Sequence, residues 1–254
     1  LFFNSQSPEE QEHIVNAYSF ELSKVKPVDI RTRELAILNQ IDGKLATKVG
    51  NNLGLTPPAS LDELTLKFAR NNHPEYPVKP KAPEVEKSEA LSMKPAAGKG
   101  TIKTRKVAFL VADGVDMNSV DHYKKALEAE GAEAVLIAPK VGKLKYKQGG
   151  SEDIRFSFLT EASVCYDAFY TPDGDSVKVL RGLPEYFQFI NEGYRHCKAL
   201  SFAKGAEVLI EDSYIKDKDA GLILEKDGQS VTDFIAAMKQ HRVWERENAR
   251  KVPS

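Results

Sequence analysis

KVAFLVADGVD, running from Lys106 to Asp116, decides the fold of the longer part of this chain. Val107 to Val111 is apolar without alternation, the pattern of a strand covered on both faces of a parallel sheet. The run ends at Ala112-Asp113-Gly114, and a helical pattern begins near Ser119. Strand, glycine turn and helix open an α/β unit, and ligands in such folds sit at the carboxyl ends of the strands. Asp113 to Asn118 would form one wall of any pocket there.

The sequence after this stretch repeats the alternation. Val120, Tyr123 and Leu127 mark the inner face of a helix that ends at Gly131. EAVLIA (133–138) reads as a second strand, and 141–158 as an excursion containing a hairpin. DAFYT (167–171), KALSF (198–202) and AGLIL (220–224) supply the third to fifth strands. A helix starting at Pro184 precedes the fourth, and one long helix from Val231 to about Arg250 is expected to close the chain. This order predicts an α/β, flavodoxin-like, doubly wound, mostly parallel sheet.

Before it, Ser7-Pro8-Glu9-Glu10 is a helix start with a serine cap, a first-turn proline and a reciprocating glutamate. Ile14, Val15, Tyr18, Leu22 and Val25 form its apolar stripe. A second stripe of Ile30, Ile37, Leu38, Ile41, Leu45, Val49 and Leu53 closes at Gly54, broken into two helices near Asp42-Gly43. Ser60-Leu61-Asp62-Glu63 starts another short helix. From Asn71 to Thr104 the chain is rich in Pro, Lys, Glu and Ala, reads as an extended linker, and holds one short anchored turn at Leu91-Ser92-Met93. The expected divisions are therefore an all-α region over 1–70, a linker over 71–104 and the α/β domain over 105–254.

The 254 residues carry 36 basic and 37 acidic side chains, a formal charge of −1, which argues against nucleic acid or an anionic membrane surface as the main partner. No apolar run approaches the roughly 20 residues of a membrane span. Two cysteines are too few for a disulfide framework or a zinc site, and suit a reducing, cytoplasmic setting. The chain opens on Leu1, as the downstream piece of something longer would.

LFFNSQSPEEQEHIVNAYSFELSKV and IRTRELAILNQIDGKLATKVGNNLGL resemble the C-terminal helical region of the large-subunit haem catalases. VAFLVADGVD, EAVLIAPKVG, the YDAF..PDG segment and EGYRHCKALSFAKGAE resemble the C-terminal domain of the same enzymes, itself similar to the type 1 glutamine amidotransferase superfamily. The resemblance implies a fragment of a peroxide-dismuting homotetramer. Its haem would belong to an upstream barrel, and its partners would be that barrel and the other subunits. Active members of the superfamily place a cysteine in a C-x-G turn after the strand matching KALSF, assisted by a glutamate after the first strand. Here the turn reads Ala203-Lys204-Gly205, and Asn118 stands about where the glutamate falls.

The expectation is accordingly no catalytic, cofactor-binding or metal-ligating residue in this stretch. Its role would be structural, with two alternatives: a holdase for unfolded client proteins, and a thiol hydrolase or glyoxalase-like enzyme using Cys197. Each candidate residue has a plainer reading. Tyr18 is helical packing, Cys197 and Cys165 are small buried fillers, and His73, His122 and His241 are solvated. Asp113-Gly114 and Asp173-Gly174 are turn chemistry.

Overall fold

The computed structural model describes residues 1–59, 84–93, 100–226 and 230–249, with the side chains of 247–249 left aside. The helix expected from Ser60, most of the linker and His73 lie outside them. The chain divides into two compact units, Leu1–Ala96 and Ala97–Ser254.

In the first unit, α1 is Phe2–Ser5, α2 Pro8–Ser23, α3 Val28–Ile41 and α4 Gly43–Leu53. Ser7 and Glu10 close the expected capping box: Glu10 N–H donates to Ser7 Oγ at 3.3 Å, and Ser7 N–H to the Glu10 carboxylate at 2.8 Å. Asp42 ends α3 and caps α4, its Oδ1 accepting from Lys44 N and Leu45 N. Gly54, at φ +66°, closes α4 in the left-handed conformation glycine tolerates.

The small core is Val15, Leu22, Leu35, Leu38, Leu45, Ala46 and Val49, with Ile14 and Tyr18 packed half-buried against it. One part of the expected stripe faces the other way. Ile30, Ile37 and Ile41 are 41%, 44% and 55% exposed, because Leu35 and Leu38 take the inward row of α3. The anchored turn is present as a 3-10 turn, Glu89–Leu91. Glu10 holds it, accepting from Ser92 Oγ at 2.8 Å and Met93 N–H at 2.6 Å, while Gln6 Nε2 donates to Leu91 O. Burial opposes ionisation of Glu10, but these donors and Ser7 outweigh it and hold the carboxylate below its ordinary range.

In the second unit the strands are β1 Lys106–Leu110, β2 Glu133–Ala138, β3 Gly142–Lys145, β4 Ser151–Ile154, β5 Phe156–Ser157, β6 Ala168–Thr171, β7 Ala199–Phe202 and β8 Leu222–Leu224. The helices are α5 Met117–Ala129, α6 Ser176–Arg181, α7 Pro184–Arg195, α8 Val208–Glu211 and α9 Ser230–Lys239. Six strands form one parallel sheet in the order β5-β2-β1-β6-β7-β8, and β3 and β4 pair antiparallel as a separate hairpin. Without the two-residue edge strand β5, this is the flavodoxin-like order 2-1-3-4-5.

The opening strand explains the layering. Val107, Phe109 and Val111 enter one apolar layer with α5 and α9, and Ala108, Leu110 and Ala112 enter the other with α7. Gly193 lets α7 approach the sheet: a Cβ there would lie 2.1 Å from the Phe169 ring.

Three further expectations need correction. The closing helix stops at Lys239; His241 turns the backbone at φ +69°, and a separate 3-10 segment, Trp244–Ala249, follows. His241 is half-buried rather than solvated, and burial, then Arg242 and Arg105, push its pKa down to about 4. Cys165 is exposed, because Ser163 takes the inward position of its short turn.

Candidate functional site

In a doubly wound sheet the expected ligand crevice is where the strand order reverses, here between the carboxyl ends of β1 and β6. This chain closes it with its own backbone. Val115 bridges Gly174 on one side and Tyr146 on the other. Asp116 N–H donates to Asp173 O at 2.8 Å, Gly114 N–H to Lys145 O at 2.8 Å, and Lys147 N–H to Val115 O at 3.0 Å. The two Asp-Gly turns and the β3–β4 hairpin are thus stitched across the strand ends. Gly174, at φ +128°, has no alternative: a Cβ there would meet Gly114 O at 2.5 Å.

The acidic side chains of this region are engaged locally. Asp116 caps α5 through Asn118 N and Ser119 N, and also accepts from Gln148 Nε2 at 2.7 Å. Burial works against its ionisation, but these donors and Lys147 hold it below the ordinary carboxylate range. Asp113 Oδ1 accepts from Lys145 N–H at 2.9 Å. Asn118 stands in the exposed first turn of α5.

The turn after β7 is packed shut. Ala203 is fully buried, with ordinary extended backbone at φ −61° and ψ 156°. Its N–H donates to Thr171 O and its carbonyl accepts from Ala206 N. Asp173 lies over the mouth of the turn, so close that a Cβ on Gly205 would meet its Oδ1 at 2.3 Å. Behind it, Ser119 Oγ shares a hydrogen bond with Tyr170 OH at 2.7 Å and accepts from Asp173 N. Tyr170 stacks on Tyr123 at 3.6 Å. A groove of about 690 Å³ follows the outer edge of β8 between Glu207 and Asp233, and neither Ala203, Asp173, Ser119 nor Tyr170 lines it.

Cys197 sits at the opposite, amino-terminal edge of the sheet, at φ +59° and 1% exposed. The next residue, Lys198, is buried, its Nζ donating to Ser163 O at 2.6 Å. Burial, then Arg242, lower its pKa to about 8. Nothing in the sequence beyond the strand itself signalled this cation, which lies three residues after the arginine that ends α7.

None of the fully buried tyrosines among the described residues is free to ligate a haem. The hydroxyls of the fully buried tyrosines are each committed to a neighbour: Tyr123 to Ser201, Tyr170 to Ser119, and Tyr186 to Thr171. Burial raises all three pKa values, Tyr123 to about 12, the reverse of what a ligating tyrosinate needs. Among the described residues no three His, Cys, Asp or Glu side chains gather as a metal-holding group, and no helix is long and apolar enough to cross a membrane.

Residues 103–248 match the family described as the C-terminal domain found in long catalases. The chain belongs to that family. Residues 1–53 match a second family, described as catalase-related immune-responsive. Among relatives, the chain is 39% identical over 256 residues to catalase HPII of Pseudomonas putida, covering 99% of this chain and 33% of the relative. It is 30% identical to Catalase-B of Dictyostelium discoideum, over 100% and 35% of the two chains. Catalase-2 of Bacillus subtilis is 30% identical over 97% and 33%. The chain spans about a third of the length of these relatives.

Proposed function

We propose that this chain is the C-terminal third of a haem catalase, a cytoplasmic homotetramer that dismutates hydrogen peroxide to water and oxygen. In this reading the stretch performs no chemistry; it stabilises the parent and helps assemble it. Helices over 1–70, a linker over 71–104 and the α/β domain over 105–254 would be its three parts.

The observation that carries this reading is the row Ile30, Ile37 and Ile41, 41–55% exposed along one face of α3. Residues at i, i+7 and i+11 share a helix face, and such a row on a surface helix marks a packing partner. Covering a branched aliphatic side chain is worth roughly 1.5–3 kcal/mol when complete, so half-covered residues offer about 1 kcal/mol each. The remaining two thirds of the parent supplies the cover. The closed turn at Ala203 supports the non-catalytic half of the reading, since a nucleophile needs an accessible thiolate with a base in reach.

The test is the full-length parent carrying Ile37→Asp and Ile41→Asp together. Sedimentation velocity should show a loss of tetramer and a shorter lifetime on heating, with the haem absorbance and initial rate per haem unchanged. An intact tetramer with an unchanged lifetime would end the assembly reading. Protection of a heated client by the double variant at the wild-type level would exclude this row as a client-binding face.

A further inference from the structure

The closed switch point leaves one cavity beside it. A space of about 250 Å³ opens where β1 and β2 end, next to the stitched turns. Its floor is Ala112, Ala138, Leu144 and Ile154, all buried and apolar. It exists because β2 ends on Ala138 and Ala112 stands just past the end of β1, while the β3–β4 hairpin arches over them from Gly142 to Ile154. Strand ends of open α/β sheets are where ligands dock, and an apolar floor under a few charged groups is the usual make-up of a small-molecule site.

The rim has two opposite charges. Asp113, on the turn after β1, is exposed; its carboxylate accepts only the Lys145 N–H and forms no ion pair among the described residues. Lys140, on the turn after β2, is exposed and likewise forms no ion pair among the described residues. Lys143 adds a third charge, tied to Asp153 at 3.3 Å by a pair in which both side chains are mostly exposed, and such pairs exchange readily with solvent. A lone anion would meet Asp113, and a lone cation would meet Lys140.

We propose that this cavity binds a small apolar amino acid, its ammonium on Asp113, its carboxylate on Lys140 and its side chain against Ala112 and Ala138. The volume holds about eight waters at roughly 30 Å³ each, enough for a leucine-sized ligand. With so few contacts and an open mouth, the dissociation constant should be about a millimolar. The site is independent of the structural role proposed above, and neither reading needs the other.

Titration of the full chain with L-leucine by calorimetry tests this, with 4-methylpentanoate and 3-methylbutylamine as probes that each lack one charge. Leucine should saturate one site, with both probes at least about tenfold weaker. Asp113→Asn keeps the oxygen that accepts from Lys145, so the turn stays folded; it should lose leucine's advantage over 4-methylpentanoate. Lys140→Gln should lose its advantage over 3-methylbutylamine. Ala138→Leu, which fills the floor, should abolish binding. No saturation by leucine up to about 50 mM, or equal binding by wild type, Asp113→Asn and Lys140→Gln, overturns the proposal. Should Ala138→Leu fail to fold, the two rim variants decide alone.

Discussion

Arg246→Ala removes a side chain that ties the closing 3-10 segment to the residues just before β7 and β8. Arg246 is 3% exposed, and its Nε and one terminal nitrogen each donate to Asp219 at 2.7 Å. Its other terminal nitrogen donates to Lys198 O, and the guanidinium lies 4.2 Å from the centre of the Tyr194 ring. Breaking a buried pair from one side costs about 3–5 kcal/mol, because the remaining charge stays in a poor solvent. Asp219 keeps the Gly221 N–H at 2.8 Å and is 21% exposed, which places the loss near about 3 kcal/mol. That corresponds to a melting temperature lower by roughly 6–12 °C. The assay is urea unfolding of the full chain followed by fluorescence of Trp244, the sole tryptophan, two residues from the substitution. Lys48→Ala is the control: that pair is as short, 2.7 Å, but both side chains are about half exposed. Its loss should stay within about 0.5 kcal/mol. Burial alone would raise the Asp219 pKa; Arg246 overcomes it and holds the carboxyl below its ordinary 3.8. A depressed carboxylate contributes stability above its unfolded pKa and loses it as pH falls through the folded one. The gap between wild type and Arg246→Ala should therefore be constant near neutrality and shrink below about pH 4. A loss under about 1 kcal/mol, or a gap indifferent to acid, would refute this reasoning.

Two further outcomes follow from Lys198 and from the turn at Ala203. Lys198 titrates at about 8 rather than 10.5, mainly through burial, so between those values the unfolded chain binds a proton the folded one refuses and stability rises with pH. Lys198→Met should abolish that rise and add about 1–2 kcal/mol at pH 7, the relieved burial less the orphaned Ser163 carbonyl, read from urea midpoints across pH 7–10.5. Ala203→Cys should restore no hydrolase activity, and its thiol should stay unreactive to a disulfide reagent in the native chain while the exposed Cys165 reacts; prompt labelling of position 203 would contradict the closed turn.

Much of this fold could be read before the structure because its signals are local. VAFLV, from Val107 to Val111, is apolar throughout since both faces of the sheet are covered there, and Ser7, Asp42 and Gly54 mark helix ends through bonds made within a few residues. The misreadings have non-local causes. The sequence of α3 holds two apolar rows; the expected stripe mixes Leu38 with Ile30, Ile37 and Ile41 and leaves out Leu35, and only packing against α2 and α4 chooses Leu35 and Leu38. The stop at Lys239 carries no glycine or proline; it depends on His241 accepting a left-handed backbone, with Val243 N–H then donating to Cys197 O. β5 is two residues long and exists only through its pairing with Ile137 and Ala138. At the candidate site the alanine at 203 was plain in the sequence. The seal over it was not, since Asp173 reaches Gly205, and the hairpin reaches Gly114 and Val115, across some thirty residues of chain.

The central claim is that this stretch stabilises a catalase without taking part in its chemistry. Shortening the full-length parent so that it ends at Lys103, then measuring peroxide consumption per haem alongside inactivation on heating, tests it most directly. The account predicts an unchanged initial rate per haem and a shorter lifetime on heating. A rate per haem that falls in an intact tetramer with an unaltered lifetime would contradict it.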